Sequence, residues 1–218
     1  PLHQFVGKVG AALAAGCTFV VRPASQTPLS ALALAELAHQ AGIPAGVFNV
    51  VVGADARGMG KVLTQHPDVA KFTFTGSTSV GKMLTAQCAE GIKRVSMELG
   101  GNAPFIVFDD ADIDAAVQGA LASKYRNAGQ TCVCTNRILV QREVLEAFTD
   151  KFQAAVVSLK QGDGLDPETD LGPLISHQAC DEVHALVNAS LQAGAELVCG
   201  GENPGTGFYP ATVLTKVT

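Results

Sequence analysis

The sequence predicts an α/β protein built on a mostly parallel sheet. Short β-branched runs alternate with helix-like stretches four times before residue 100, and glycine or proline punctuates the alternation. Hydrophobic residues make up 47% of the 218 and charged residues 16%, which is enough apolar chain to bury a core in one or two domains.

The elements follow in order. Phe5 to Ala15 reads as a helix closed by Gly16, and Cys17 to Val21 as a buried strand stopped by Pro23. Thr27 is placed to cap the next helix with Pro28 in its first turn, and that helix runs from Leu29 to Gln40. Val47 to Val52 is a strand, Gly58 to Gln65 a helix, and Lys71 to Thr75 a strand. Gly76-Ser77-Thr78 opens a helix over Val80 to Cys88, and Lys93 to Leu99 is a strand. Gly100-Gly101 breaks this pattern and marks a domain boundary. Beyond it, Phe105 to Phe108 is a strand, and acids ending at Asp112 cap a helix from Ile113 to Tyr125. Ile138 to Gln141 (strand), Leu145 to Lys160 (helix) and Gln178 to Ala193 (helix) come next. Leu197 to Cys199 and Phe208 to Leu214 read as strands around a Gly-rich turn.

Several functions are disfavoured. A net charge of −5 with scattered Lys and Arg argues against a nucleic-acid or membrane-surface partner. No apolar run has the length of a membrane span. The six cysteines lack metal-ligand spacing, so no metal is expected and free thiols in a reducing compartment are. The cytoplasm is therefore the expected compartment, with the mitochondrial matrix as the alternative. The chain opens on Pro1 without a secretory leader, and both ends read as cut.

Two strand-to-helix turns are rich in glycine, one from Gly53 to Gly60 and one from Gly76 to Lys82. Glycine lets a backbone approach a pyrophosphate, and a helix N-terminus offers free N–H groups. Neither turn is a GxGxxG fingerprint, and either is as consistent with a plain connection. Arg22 and Ser25 follow the first strand, where a cofactor ribose would lie and where a cation favours a 2′-phosphate. A solvated surface arginine is the competing explanation.

Cys132 sits in the polar run Arg126-Asn127-Ala128-Gly129-Gln130-Thr131-Cys132-Val133-Cys134, with Glu98 upstream at the end of a strand. A thiolate can attack an aldehyde, hydride loss then leaves a thioester, and a carboxylate can activate water to hydrolyse it. Spacing alone leaves open a buried structural cysteine and an ordinary strand-end acid.

Met97-Glu98-Leu99-Gly100-Gly101 and Gly129-Gln130-Thr131-Cys132 resemble signatures of the aldehyde dehydrogenase superfamily. Pro23-Ala24, Phe74-Thr75-Gly76-Ser77 and Gly172-Pro173-Leu174 match it as well, in the same order, so the resemblance covers essentially the whole chain. It implies an NAD(P)-binding domain over residues 1–100, incomplete at its start, and a catalytic domain over 101–218, incomplete at its end. It implies Cys132 as nucleophile and Glu98 as general base. Ser77 would meet the pyrophosphate beside the Gly53 and Gly76 turns, Val80 and Met83 the adenine, and Leu99 the cofactor. A dimer or tetramer of identical chains is expected.

The run from Lys124 to Cys134 is most similar to the succinate-semialdehyde dehydrogenase branch. Arg126 would then clamp the substrate carboxylate, and Cys134 would pair reversibly with Cys132 as a redox switch. The expected reaction is oxidation of succinic semialdehyde to succinate with NADP, or NAD. Glutarate semialdehyde is the rival substrate, and a non-catalytic nucleotide-binding or structural fragment the rival class. The family has Lys at the Arg22 position, and the Gly53 turn is about one residue longer than its counterpart. An oxyanion-hole Asn would lie just before Pro1 and a ribose-binding Glu-Glu-x-Phe-Gly-Pro segment soon after Thr218. Losing one oxyanion donor costs about a hundredfold to a thousandfold in rate, so these residues alone are expected to be nearly inactive.

Overall fold

Helices and strands alternate along most of the computed structural model, which describes residues 2–217, and the α/β class expected from the sequence is what the chain forms. Contacts divide it into two units, Pro1–Leu99 and Gly100–Thr218. No helix among the described residues is long and apolar enough to cross a membrane.

The first unit runs α1 (Leu2–Ala14), β1 (Phe19–Val21), α2 (Leu29–Gln40), β2 (Phe48–Val50), α3 (Ala56–Gln65), β3 (Lys71–Thr75), α4 (Thr78–Ala89) and β4 (Arg94–Glu98). β1 lies parallel to β2, with Phe19 opposite Phe48, and β3 lies parallel to β4, with Thr75 opposite Glu98. A mostly parallel sheet was expected; the described strands of this unit are parallel and form two separate pairs. Alternation of strand and helix sets parallel direction; it does not say which strands become neighbours.

Thr27 is not the cap of α2. Pro28 holds that position without a side-chain bond, and its carbonyl accepts from Ala31 and Leu32, while the Thr27 N–H is already used in a turn to Ala24. α3 starts two residues earlier than expected because Asp55 caps it, accepting from Gly58 N at 2.8 Å. Phe72, Leu84 and Cys88 form a small core with Leu63, Phe74 and Met97. The buried Thr64 hydroxyl links α3 to α4 through Gln87 Oε1 at 2.9 Å.

The second unit contains β5 (Ala103–Val107), α5 (Ile113–Tyr125), β6 (Thr135–Val140), α6 (Leu145–Val157), α7 (His177–Gln192), β7 (Glu196–Cys199) and β8 (Val213–Thr215). β5 and β6 are parallel, and their inward residues Phe105, Val107, Ile138 and Val140 pack with α5 and α6. The alternation of Phe105, Ile106 and Val107 explains this, since a strand's side chains point to opposite faces in turn. α6 ends at Val157 rather than Lys160, because the Lys160 backbone N–H donates instead to Asp170 Oδ2 at 2.9 Å. β8 pairs antiparallel with β7 and is confined to Val213–Thr215; the preceding Tyr209 is held in the core instead, its carbonyl accepting from Gln161.

Tyr125, Phe152 and Phe148 stack in sequence, with ring centroids 6.3 and 5.5 Å apart. Burying each ring stabilises the unit by roughly 1.5–3 kcal/mol. This stack fixes the last residue of α5, and the segment carrying Arg126 and Cys132 starts from there. Burial also pushes the Tyr125 hydroxyl well above the usual tyrosine range.

Candidate active-site elements

At the end of β1 the structure brings Arg22, Ser25 and Gly53 together. Arg22 Nη2 donates to Ser25 Oγ at 2.6 Å, and both groups reach the Gly53 carbonyl at 3.5 Å. Arg22 Nε is buried and has no hydrogen-bond partner among the described residues. Leaving such a donor unpaired costs about 1–3 kcal/mol. A guanidinium with an unmet donor, beside a hydroxyl and without an acid, has the donor set that a phosphate monoester requires.

The Gly76 turn is built differently from a bare phosphate loop. Ser77 caps α4, its oxygen accepting from Val80 N at 3.4 Å and lying 3.2 Å from Ser79 Oγ. With Ser79 as donor in that pair, the Ser77 proton is free for a ligand at the helix N-terminus. A Cβ on Gly76 would fall 2.4 Å from the Phe74 ring, and one on Gly81 would fall 2.5 Å from Leu99 Cδ2. A side chain at either glycine would make Phe74 or Leu99 shift, and Leu99 lies directly against α4. Val80 and Met83 hold apolar side chains 38% and 46% exposed on that helix, as an apolar ring contact would need.

Glu98 is exposed at the carboxyl end of β4, where its carbonyl accepts from Gly76 N at 3.0 Å. A residue not singled out from the sequence stands near it. Lys8 of α1 donates to Thr75 Oγ1, across from Glu98 in the strand register. Burial lowers the Lys8 pKa, and the Glu98 carboxylate opposes that shift. A lone lysine inside an otherwise uncharged apolar helix was the available signal, but 90 residues separate it from Glu98.

In the second unit, α5 gives way at Arg126 to a turn in which Asn127, Ala128 and Gly129 all have left-handed backbones, with φ of 55°, 53° and 77°. Left-handed geometry costs about 1–2 kcal/mol per ordinary residue, and Asn tolerates it best among them. Arg126 is exposed, and its guanidinium has no ion-pair partner among the described residues. Cys132 is half-buried with a free thiol. A Cβ on Gly101 would fall 2.7 Å from the Cys132 carbonyl oxygen, so only glycine permits that approach. Cys134 is buried and its sulfur lies 2.7 Å from Thr131 Oγ1, while its N–H donates to the Thr131 carbonyl. To pair with Cys132, the Cys134 thiol would first have to leave that hydroxyl. Beneath the turn, burial lowers the Lys124 pKa, and Lys124 Nζ donates to Asn136 Oδ1 at 2.7 Å.

The profile of the aldehyde dehydrogenase family matches residues 1–218. The chain belongs to the aldehyde dehydrogenase family. It is 59% identical over its whole length to a 3-sulfolactaldehyde dehydrogenase of Pseudomonas putida and 57% identical to an NADP(+) succinate-semialdehyde dehydrogenase of Escherichia coli. It spans 45% of the length of each of these relatives. An NADP-dependent enzyme of E. coli superposes with a TM-score of 0.94 and 58% identity, over 97% of this chain and 44% of that one. These matches show membership of the family and its fold. The relatives' names differ in the aldehyde that each oxidises.

Proposed function

We propose that the protein containing this chain is an NAD(P)-dependent aldehyde dehydrogenase, acting on an aldehyde whose far end is anionic, succinic semialdehyde foremost. The observation that carries the substrate class is Arg126. It is exposed, unpaired among the described residues, and shares a short turn-and-loop segment with Cys132. A guanidinium without a protein acid is set to bind a carboxylate bidentately.

Each residue has a definite task. Cys132 Sγ, as thiolate, bonds to the aldehyde carbon, and the carbonyl oxygen becomes an oxyanion in a tetrahedral thiohemiacetal. A bound nicotinamide cofactor supplies the hydride acceptor. Once the hydride has left, the carbon is a thioester on Cys132. Glu98 takes a proton from water as the water oxygen attacks that carbon. The C–S bond then breaks, releasing the carboxylic acid and returning the Cys132 thiolate. Arg22 with Ser25 would hold a 2′-phosphate, and the Ser77 end of α4 the pyrophosphate. The Val80 and Met83 side chains would flank the adenine, with Gly53 and Leu99 shaping the backbone around the cofactor.

Two outcomes test this reading in the full-length protein. Arg126→Ala should raise KM for succinic semialdehyde about ten- to a hundredfold, the worth of charge-assisted bonds, while hardly moving KM for butanal. Equal losses on both aldehydes would remove the clamp. Arg22→Ala should raise KM for NADP⁺ by about ten- to a hundredfold and leave NAD⁺ nearly unchanged. Should both cofactors suffer alike, Arg22 is not reading the 2′-phosphate.

A second reading has its own support. The 59% identity to the 3-sulfolactaldehyde enzyme points to a sulfonate-tailed aldehyde, and a sulfonate accepts the same guanidinium bonds. Glutarate semialdehyde differs from succinic semialdehyde by one methylene, worth about 1–3 kcal/mol in a pocket. Comparing kcat/KM for the three aldehydes decides among them. Failure to oxidise any of them would refute the anionic class.

A further inference from the structure

Three consecutive left-handed residues, two of them not glycine, need something to hold them. The side chain of Gln130 is bonded at both ends of its amide. Its Nε2 donates to the Asn127 carbonyl at 3.1 Å, alongside its own backbone N–H at 3.2 Å. In return, Asn127 Nδ2 donates to the Gln130 carbonyl at 3.3 Å. The other end of the amide, Oε1, accepts from Ile175 N at 2.8 Å. Ile175 lies between Leu174, whose N–H donates to Gly207, and Ser176, which caps α7. Reversing the amide would set oxygen against the Asn127 carbonyl and N–H against N–H, so one orientation alone satisfies both ends.

We infer that Gln130 is a positioning residue: its amide closes the left-handed turn and moors it to the segment before α7, fixing Cys132 relative to Arg126. This rests on the assignment of those two residues above. Cys132 lies between two fixed points. On one side Gln130 is tied to Asn127 and Ile175. On the other, Cys134 is buried and its sulfur is tied back across Cys132 to Thr131. Loss of the amide frees the turn to relax from its left-handed form, and the distance from nucleophile to clamp changes with it. A displacement of about 1 Å between reacting groups can cost a hundredfold in rate.

The test uses Gln130→Ala and the double variant Gln130→Ala/Ala128→Gly in the full-length protein. Glycine holds a left-handed backbone without help, so it should replace the brace. Two quantities are read. One is the ratio of kcat/KM for succinic semialdehyde to that for butanal. The other is the rate of Cys132 alkylation by iodoacetamide at one fixed pH, which needs neither Arg126 nor cofactor. It is followed by peptide mapping because Cys17 is exposed and Cys199 partly so. Gln130→Ala is expected to lower the ratio about tenfold and to change the alkylation rate severalfold, because the loop that carries Cys132 is no longer held in one form. The second substitution should restore both. Equal loss of activity on the two aldehydes with an unchanged alkylation rate overturns the inference. So does an alkylation rate that changes and is not restored by glycine at 128. A restored alkylation rate with a ratio that neither Gln130→Ala nor Arg126→Ala alters leaves the brace standing and removes the clamp.

Discussion

Serine at position 132 should leave the full-length protein with a dehydrogenase kcat at least about ten-thousand-fold below wild type, the scale on which enzymes lose rate when their nucleophile is removed. The change exchanges sulfur for oxygen at a half-buried position, so the fold has little reason to respond. The chemistry responds because the Cys132 side chain has no histidine partner among the described hydrogen bonds. A thiol supplies some thiolate unaided at neutral pH; a hydroxyl in the same place needs a base to become nucleophilic. Stopped-flow absorbance at the reduced-cofactor band checks this directly. Retention of even one per cent of the wild-type rate, with an unchanged melting temperature, would move the covalent step to another residue.

Glu98→Gln should produce a different failure. In the proposed reaction, acylation of Cys132 does not need the carboxylate, so one equivalent of reduced cofactor should appear in a burst. Steady-state turnover should then fall by about a hundredfold to ten-thousandfold, the usual contribution of a general base. Mass spectrometry should find the acyl group on Cys132. Glu98 is exposed at a strand end, so the substitution should cost little stability. Its neighbour Lys8 will feel the loss: the Glu98 charge is the influence that opposes burial, so without it the Lys8 pKa falls further. Absence of a burst would put Glu98 in the first half of the reaction. A normal steady state would exclude it as the base.

Local signals carried most of what could be read from the sequence. Asp112 and Ser77 stand where a cap belongs, and both cap their helices. Arg22 and Ser25 are three residues apart just beyond a short strand, so their meeting was within reach of spacing alone. What escaped depends on residues distant in the chain or on unusual backbone. Lys8 nears Glu98 only because α1 and β4 belong to one unit. The pairing of β1 with β2 and of β3 with β4 is a property of the folded sheet. Ala128 carries no trace in its chemistry of a left-handed φ, because alanine has no preference for that region. The two bonds of the Gln130 amide follow from that hidden turn.

The approach of Gly101 to the Cys132 carbonyl also has a genetic side. Every missense change that a single base substitution can make in a glycine codon introduces a Cβ. At this position that carbon would meet backbone oxygen, which cannot swing aside as the tip of a side chain can. Each such allele therefore displaces the peptide unit of Cys132 itself. A position with no chemistry of its own thus has a narrow mutational allowance set by the backbone it touches.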